Sequence, residues 1–253
     1  MRILLTNDDG IDAPGINILA EKLQEKHEII VVAPAEEQSA ASHSITLFQP
    51  IRILDKGENR FAVTGTPTDC ISIAFQTILK KPVDLVISGI NGGQNMSEDV
   101  LYSGTVAAAL EAMFLGNKAI AISLASYTDQ KFETAAFYMD KMLDNGIMEL
   151  IGKKEILNIN IPNVEISEVK GIKITELGHR HYTDFVKEKT DKQGNTFYYI
   201  GGDEPFWCLE DNKDSKAIAE NFISITPIYP DFTKKDSIPK IRKWIDEMSH
   251  EEH

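Results

Sequence analysis

Cysteine is scarce in this 253-residue chain, which contains only Cys70 and Cys208. Two thiols so far apart in sequence do not indicate a metal-binding knuckle or a disulfide framework, so we expect both to be free. The sequence also lacks any run of about 18 apolar residues, and it opens on a strand-like segment rather than on a signal peptide. These absences predict a cytoplasmic protein with no membrane partner.

Positive charge is also in short supply. The chain has 26 Lys and Arg residues against 39 Asp and Glu residues, a formal net charge of −13. Proteins that follow a nucleic-acid backbone carry basic surfaces, so this balance argues against a nucleic-acid duplex as a partner. The glycine-rich dinucleotide motif and the P-loop motif are missing too. A phosphate ligand in such a chain needs local cations or backbone N–H groups, which favours a bound metal.

Buried-strand patterns alternate with helical patterns from the first residues onward. Apolar runs of strand length are followed by segments whose apolar residues recur at helical spacing. We predict strands over residues 3–6, 28–33, 84–87, 118–124 and 156–161, and helices over residues 14–26, 67–79, 103–115 and 131–150. Continuous apolar strands that alternate with helices are typical of an α/β fold with a doubly wound, parallel sheet.

Other segments fall outside this alternation. We predict an antiparallel insertion from short strands over residues 45–47, 51–54 and 61–64, a hairpin within residues 172–201, a strand over residues 222–228 and an amphipathic helix over residues 238–248. The apolar stripe of that last helix either packs on its own domain or forms a dimer contact. We treat residues 1–253 as one domain, with a core of about residues 1–165 and an extension of about residues 166–253.

Two adjacent carboxylates, Asp8 and Asp9, follow the first predicted strand. Anions held this close repel each other, so either one pKa rises or a cation lies between them. Carboxylate oxygens are the ligands that Mg²⁺ and Mn²⁺ prefer. The alternative is that both residues are simply turn and helix-capping residues, since Asp is common at both positions.

Oxygen-bearing side chains also follow the next two core strands, at Ser39, Asn91 and Asn95. In an open parallel sheet, ligands bind beyond the carboxyl ends of the strands, where the strand order reverses. The three loops open on the same edge of the sheet, so we expect these side chains to gather near Asp8 and Asp9. The resulting all-oxygen set suits a hard cation that retains open water positions.

Glycines and a helix start supply candidate phosphate-binding groups. Gly92 and Gly93 let the backbone approach a ligand closely and turn its N–H groups towards it. Ser103, Gly104 and Thr105 present hydroxyl and N–H groups at a helix N-terminus, which is a ready site for one phosphate. The alternative for this second segment is ordinary N-capping by Ser103.

Four segments together resemble the family of stationary-phase survival (SurE) proteins, which are metal-dependent nucleoside monophosphate phosphatases. The segments are residues 2–16, 64–70, 88–95 and 102–106, and the similarity extends to residues 157–162 and 224–227. Their order matches that of the family, and they span most of the chain.

The resemblance implies specific roles. The family's metal ligands fall on Asp8, Asp9, Ser39 and Asn91, and its phosphate contacts fall on Asn95 and the 103–105 turn. It implies one divalent cation per subunit, Mn²⁺, Mg²⁺ or similar, and hydrolysis of 5′- and 3′-nucleoside monophosphates, with some activity on short polyphosphate. It also implies a Rossmann-like core with a protruding β-hairpin and a C-terminal helix exchanged between subunits, hence a homodimer or homotetramer.

Combining the residues with the resemblance, we expect Asp8, Asp9 and Asn91 to be catalytic. Substrate contacts are expected at Asn95, Gly92, Gly93, Ser103, Gly104 and Thr105. His43 either assists proton transfer or is a structural hydrogen-bonding residue. The family often has a basic pair before the hairpin, and this chain has His179, Arg180 and His181 there.

Two other classes of protein carry acidic residues after a first strand. Receiver domains of signalling proteins bind Mg²⁺ there, but they need a third aspartate after a central strand and are about half as long as this chain. Haloacid-dehalogenase phosphatases need an Asp-x-Asp motif, and here the two carboxylates are adjacent. A phosphomonoesterase is therefore the favoured hypothesis, and a phospho-acceptor module is its rival.

Overall fold

A nine-stranded sheet forms the centre of the molecule. The computed structural model describes residues 1–181, 186–200 and 206–250. The strands are β1 Arg2–Thr6, β2 Glu28–Pro34, β3 Ile53–Gly57, β4 Arg60–Val63, β5 Leu85–Gly92, β6 Ala119–Ala125, β7 Ile156–Pro162, β8 Ile172–Ile174, β9 Arg180–His181, β10 Val186–Thr190, β11 Thr196–Ile200, β12 Phe206–Trp207 and β13 Ile223–Ile228. The helices are α1 Pro14–Leu23, α2 Pro67–Ile73, α3 Gly104–Phe114, α4 Phe132–Asp144, α5 Asp214–Ala219 and α6 Ile238–His250.

The strand order of the sheet is β3-β4-β2-β1-β5-β6-β7-β13-β8. Strands β1, β2 and β4 to β7 run parallel, whereas β3 and β13 pair antiparallel with their neighbours β4 and β7. The chain passes from β1 to β2 on one side and later returns to β5 on the other side. The strand order therefore reverses between β1 and β5, which is where open α/β sheets bind ligands.

Helices cover both faces of the sheet. Alternate residues of a strand point to opposite faces, and β1 shows this directly. Ile3 and Leu5 join the apolar cluster that contains residues of α1 and α4, whereas Leu4 joins the cluster that contains residues of α2 and α3. The predicted α/β class with a doubly wound, mostly parallel sheet is confirmed.

Several helices are shorter than their predicted spans. Helix α1 ends at Leu23 rather than at residue 26, and α2 ends at Ile73 in a π-helical turn, Ala74–Ile78. Helix α4 ends at Asp144 because Gly146 adopts a left-handed backbone with φ of 78°. A separate 3-10 turn then occupies the last residues of the predicted 131–150 helix.

Strand predictions were wrong at two places. Residues 45–47 form no strand, because the Thr46 N–H and hydroxyl both donate to the Asp69 carboxylate, at 3.0 and 2.6 Å, instead of to a neighbouring strand. The predicted strand 84–87 is too short, since β5 continues to Gly92 beside β6. Asn91 therefore lies on a strand and not in a loop.

The chain beyond residue 165 divides into two kinds of structure. Strands β8 and β13 add to the central sheet, so the sheet continues into the segment predicted as an extension. Strands β10 and β11 form the predicted hairpin, and every residue of both strands is exposed. The hairpin is therefore separate from the core that the main sheet builds.

Helix α6 carries an apolar stripe. Ile241, Trp244, Ile245 and Met248 are each about half exposed, from 47% to 58%. All residues from 238 to 248 are exposed. Within the described ranges, no helix is both long enough and apolar enough to span a membrane.

Helix α1 packs so closely on β5 at Gly15 that a larger residue there is predicted to destabilise the protein. A Cβ atom there would lie 2.1 Å from the Ile90 carbonyl oxygen. Helix propensity alone favours Ala over Gly by about 1 kcal/mol, but overpacking costs about 1–3 kcal/mol. We expect Gly15→Ala to lower the free energy of unfolding in urea by about 1–3 kcal/mol.

Gly152 provides the matched control. A Cβ atom there meets only the carboxylate end of the half-buried, flexible Glu155 side chain, which accepts a hydrogen bond of 2.8 Å from the Gly152 N–H. Gly152→Ala should lower the free energy of unfolding by less than about 1 kcal/mol, because at most this one hydrogen bond is weakened. Stabilisation by Gly15→Ala would show that helix propensity outweighs the contact with β5.

Candidate active site

A cavity of about 800 Å³ opens where β1 and β5 end. Its lining residues come from separate loops and strand ends. They are Asp8, Asp9, Ser39, Ala40, Asn91, Gly92, Gln94, Asn95, Asp99, Tyr102, Ser103, Tyr127, Arg180 and Ile200. All four predicted metal ligands, Asp8, Asp9, Ser39 and Asn91, therefore line one cavity at the reversal of strand order.

Asp8 is a buried carboxylate held by the start of α3. Its side chain is 5% exposed, and its Oδ1 accepts a hydrogen bond of 2.5 Å from the Thr105 hydroxyl. The pKa of Asp8 is raised to about 6, mainly by burial and also by the negative charge of Asp9, although the hydroxyl and backbone N–H of Thr105 act to lower it. The helix N-terminus thus stabilises a negative charge that the surrounding apolar packing disfavours.

Gly104 permits this close approach. A Cβ atom at Gly104 would lie 2.8 Å from the Asp8 Cβ and 2.9 Å from its Oδ2. Neither Gly104 nor Thr105 lines the cavity, and the Thr105 side chain is fully buried. Substrate contact was predicted at both residues. In this structure they hold Asp8, because the carboxylate occupies the helix N-terminus that was assigned to phosphate.

Asp9 is held by β5, the strand next to β1 in the sheet. Its Oδ2 accepts a hydrogen bond of 3.1 Å from the backbone N–H of Gly92 at the end of β5. Burial is the main cause of a raised pKa for Asp9, and the charge of Glu37 adds to it, while the Gly92 bond lowers it. Two carboxylates with raised pKa values side by side favour a bound cation.

The amide of Asn91 has a fixed orientation. Its Nδ2 donates to the Gly93 carbonyl oxygen at 2.7 Å. Because a carbonyl oxygen only accepts hydrogen bonds, the amide nitrogen must face Gly93. The amide oxygen of this cavity-lining residue is then the atom that remains to coordinate a cation.

Ser39 lies on a loop that is tied to Asp8. The Gln38 N–H donates to the Asp8 carbonyl oxygen at 2.7 Å, which holds the loop beside the end of β1. Ser39 is exposed, and its hydroxyl donates to Glu37 at 2.7 Å. Its oxygen lone pairs remain suitable for a cation, and Glu37 adds negative charge nearby.

Gly92 and Gly93 do not offer their N–H groups to a ligand in this structure. The Gly92 N–H donates to Asp9, and the Gly93 N–H donates to the Leu124 carbonyl at 3.0 Å. The prediction that both N–H groups cradle phosphate therefore differs from the observed geometry. The sequence could not reveal this, because both bonds depend on the extension of β5 to Gly92.

Asn95 and Ser103 are the predicted substrate-contacting residues that line the cavity with polar side chains. Asn95 is nearly buried, and its Nδ2 donates to the Ser123 hydroxyl at 2.8 Å. The Ser103 hydroxyl accepts a bond of 3.0 Å from the Val106 N–H, so it is the N-cap of α3. This capping role leaves the hydroxyl proton of Ser103 available to donate.

Sequence reasoning missed much of the remaining wall. Tyr127 lies against Gly93, where a Cβ atom would come within 2.4 Å of the tyrosine ring. The Arg180 guanidinium donates to the Asp99 carboxylate and lies 5.1 Å from the ring centre of Trp207. The only signal in the sequence was a basic residue next to the hairpin of an acidic chain.

His43 supports the structural alternative. Its Nε2 lies 3.1 Å from a Glu111 carboxylate oxygen, and its ring stacks on Phe114 at 5.9 Å. It does not line the cavity. The geometry thus assigns His43 to the packing of the loop on α3.

The donor set fits a hard cation. No group of three or more His, Cys, Asp or Glu side chains suited to a metal occurs in the parts of the chain that the structure describes. The four predicted ligands, which all line the cavity, instead supply two carboxylates, one hydroxyl and one amide oxygen. Such oxygen sets suit Mg²⁺ or Mn²⁺, which keep several water ligands, better than they suit Zn²⁺.

Comparison with known proteins identifies the family. The sequence model described as "Survival protein SurE" matches residues 3–184. The chain belongs to the SurE family. A protein of Alkaliphilus metalliredigens named 5′-nucleotidase SurE is 44% identical over 249 residues, which cover 96% of this chain and 98% of that protein. One of Kosmotoga olearia with the same name is 42% identical over 251 residues, covering 96% and 98%.

A solved SurE structure has the same fold. The crystal structure of the SurE protein from Aquifex aeolicus superposes with a TM-score of 0.87 at 37% identity, covering 96% of this chain and 99% of that one. Membership of the SurE family confirms the resemblance drawn from the four segments. It also counts against the receiver-domain rival, whose chains are about half this length.

The raised pKa of Asp8 predicts that the stability of the metal-free protein depends on pH. The folded state binds the Asp8 proton more tightly than the unfolded chain, with pKa values of about 6 and 3.8. Its contribution to stability is therefore present below pH 3.8 and lost as the pH rises through about 6. At pH 8 in chelator, Asp8→Asn should raise the free energy of unfolding by about 2–3 kcal/mol relative to native protein.

That advantage should vanish at pH 4, where the native carboxyl is largely protonated. Asp12→Asn, at an exposed neighbouring carboxylate, should alter stability by less than about 0.5 kcal/mol at either pH. If Asp8→Asn changes the free energy of unfolding equally at pH 4 and pH 8, the raised pKa of Asp8 is contradicted. Urea unfolding at the two pH values measures both variants.

Proposed function

We propose that this SurE-family protein is a metal-dependent phosphomonoesterase that hydrolyses nucleoside 5′- and 3′-monophosphates to nucleoside and phosphate. The observation that carries the proposal is the meeting of Asp8, Asp9 and Asn91 in one cavity at the reversal of strand order. The relatives' name, 5′-nucleotidase SurE, supports the substrate class. Short polyphosphate is a further substrate under this proposal.

Asp8, Asp9, Ser39 and Asn91 are the proposed ligands of one divalent cation per subunit, Mn²⁺ or Mg²⁺. When bound there, the cation supplies Lewis-acid polarisation of a phosphoryl oxygen and lowers the pKa of a water molecule. The protein contributes a preformed site. Thr105 fixes the Asp8 carboxylate, the Gly92 N–H fixes Asp9, and the Gly93 carbonyl fixes Asn91. Little reorganisation is then needed when the substrate binds.

Phosphate recognition rests on side chains in this proposal. Ser103 can donate its hydroxyl proton to a phosphoryl oxygen, and Asn95 lines the same cavity. Gly104 and Thr105 contribute through Asp8. Hydrolysis of phosphate monoesters is extremely slow without a catalyst, so most of a barrier reduction of about 20 kcal/mol must come from such electrostatic stabilisation.

The size of the cavity supports a substrate larger than phosphate. A volume of about 800 Å³ is within the range of sites that enclose drug-sized ligands. Tyr102, Tyr127 and Ile200 add aromatic and apolar surface to a wall that also holds Arg180. This lining suits a nucleoside next to the phosphate.

The apolar stripe of α6 supports a homodimer or homotetramer. Ile241, Trp244, Ile245 and Met248 recur at helical spacing and are about half exposed. A stripe with so many large side chains is typical of a contact with another chain. We propose that α6 of one subunit packs on a second copy.

Loss of the proposed ligands should abolish activity. Asp8→Asn removes the negative charge and one carboxylate oxygen, and Asn91→Ala removes the amide oxygen, so we expect hydrolysis of AMP by each variant to fall by more than about a hundredfold. Phosphate release from 5′-AMP, 3′-AMP and short polyphosphate should require added Mn²⁺ or Mg²⁺ and stop in excess chelator. Calorimetry should also show that both variants bind Mn²⁺ more weakly than native protein.

Matched substitutions away from the ligands separate this effect from general damage. Asp12→Asn and Asn145→Ala make the same chemical changes at residues that do not line the cavity, and both should retain native turnover. Near-native AMP hydrolysis by Asp8→Asn would refute the proposed mechanism. Full activity after exhaustive chelation would remove the cation from it.

The subunit contact has its own test. Native protein should sediment as a dimer or tetramer, and Trp244→Glu should sediment as a monomer because a charge would be buried in an apolar contact. Lys240→Glu changes the charge of the same helix outside the apolar stripe and should leave the assembly intact. Monomeric native protein would rule out the proposed role of α6.

A further inference from the structure

A buried carboxylate outside the catalytic cluster joins three segments of the chain. Asp214 begins α5 and is 0% exposed. Its Oδ2 accepts from the Ser97 N–H at 2.8 Å, and its Oδ1 accepts from the N–H groups of Gly178 and Ser215 at 3.0 and 2.8 Å. Asp214 is not a cavity-lining residue. We call this arrangement the Asp214 junction.

Two of the three segments lead directly into the cavity wall. Asp99 follows Ser97 by two residues, and Arg180 follows Gly178 by two residues; both line the cavity, where they form an ion pair. Glu98 links the same segments again, because its carboxylate accepts from the Arg180 N–H at 2.9 Å and contacts His179 Nδ1 at 2.8 Å. The Asp214 junction therefore connects, within two residues each, to both members of the ion pair.

The third segment carries the aromatic support of Arg180. The Ser215 hydroxyl donates to the Cys208 carbonyl at 2.7 Å, and the Cys208 N–H donates to the His179 carbonyl at 3.1 Å. Trp207, which pairs with Arg180 across β9 and β12, lies under the guanidinium. The orientation of the Arg180 plane thus depends on the residue next to Asp214.

Close packing shows that the junction has little freedom. A Cβ atom at Gly178 would lie 3.0 Å from Asp214 Oδ1 and 3.0 Å from the Ser97 hydroxyl oxygen. The backbone N–H of Asp214 also donates to the Glu176 carbonyl at 3.0 Å, which ties α5 to the strand-like segment before Gly178. A carboxylate with three backbone donors is difficult to replace, because an amide group presents donors of its own.

We propose that Asp214 is a positioning residue for the nucleoside half of the substrate, through the Asp99 and Arg180 wall that it holds in place. The inference rests on the proposed nucleotidase function. A planar guanidinium stacks on a base and donates to hydroxyl or ring acceptors, and the neighbouring Tyr127 offers an aromatic face. The phosphate and its cation are held by other residues, so the junction discriminates between leaving groups.

The test compares two phosphate esters. The leaving group of AMP is a nucleoside, whereas that of p-nitrophenyl phosphate is p-nitrophenolate, which has neither ribose nor base. Asp214→Asn should lower kcat/KM for AMP more than for p-nitrophenyl phosphate, by on the order of tenfold, mainly through KM; displacement of a positioning contact by about 1 Å costs up to about a hundredfold. Adenosine binding in chelator, measured by calorimetry, should weaken in parallel.

A second variant guards against poor folding of the first. Gly178→Ala keeps Asp214 but forces it to move, so it should change the ratio of the two kcat/KM values in the same direction. Asp140→Asn is the matched control. Asp140 is 7% exposed, is bound by Lys26 at 2.9 Å and does not line the cavity, so its loss should not alter the ratio.

The outcomes are separable from those of the proposed function. Equal losses for both esters in Asp214→Asn and Gly178→Ala, with native adenosine affinity, would mean that the junction is only structural and would overturn the inference. If native protein hydrolyses neither ester, the proposed function fails. The adenosine measurements on the two variants then still decide the role of Asp214.

Discussion

The hydrogen bond between Thr105 and Asp8 is the contact on which the rest of the site depends. It places a carboxylate from the end of β1 at the N-terminus of α3, where the helix dipole and the Thr105 N–H offset part of its burial cost. Only glycine at position 104 leaves room for that approach. The helix N-terminus that was predicted to bind phosphate thus binds a protein carboxylate. The carbonyl oxygen of Asp8 in turn accepts from the Gln38 N–H and so positions the loop that carries Ser39.

Much of this arrangement could be predicted from the sequence because it follows from one geometric rule. Parallel strands end on the same edge, so polar residues after β1, β2 and β5 must meet there. Asp8, Asp9, Ser39 and Asn91 share one cavity for that reason. The fold class could also be predicted from the sequence, because continuous apolar strands that alternate with helices are compatible with few architectures other than a parallel α/β sheet.

The parts that could not be predicted depend on hydrogen bonds between residues far apart in sequence. The Gly92 and Gly93 N–H groups, which the local sequence suggests for a ligand, donate to Asp9 and Leu124 instead. Thr105 binds Asp8 because the first residues of α3 lie next to the end of β1. The Asp214 junction joins Ser97 to a residue 117 positions later. No periodicity or motif reports such a pairing, and strands β8 and β13 likewise show their place in the sheet only after folding.

The chain has two tryptophans, and the fold puts them at separate places with separate tasks. Trp207 lies beneath the guanidinium of the cavity-lining Arg180, whereas Trp244 is 58% exposed on α6. Indole emission is sensitive to nearby charge and to water, so the native chain carries two intrinsic optical reporters. Replacement of either ring by phenylalanine leaves a single indole, whose emission reports either on the surroundings of Arg180 or on the environment of the C-terminal helix.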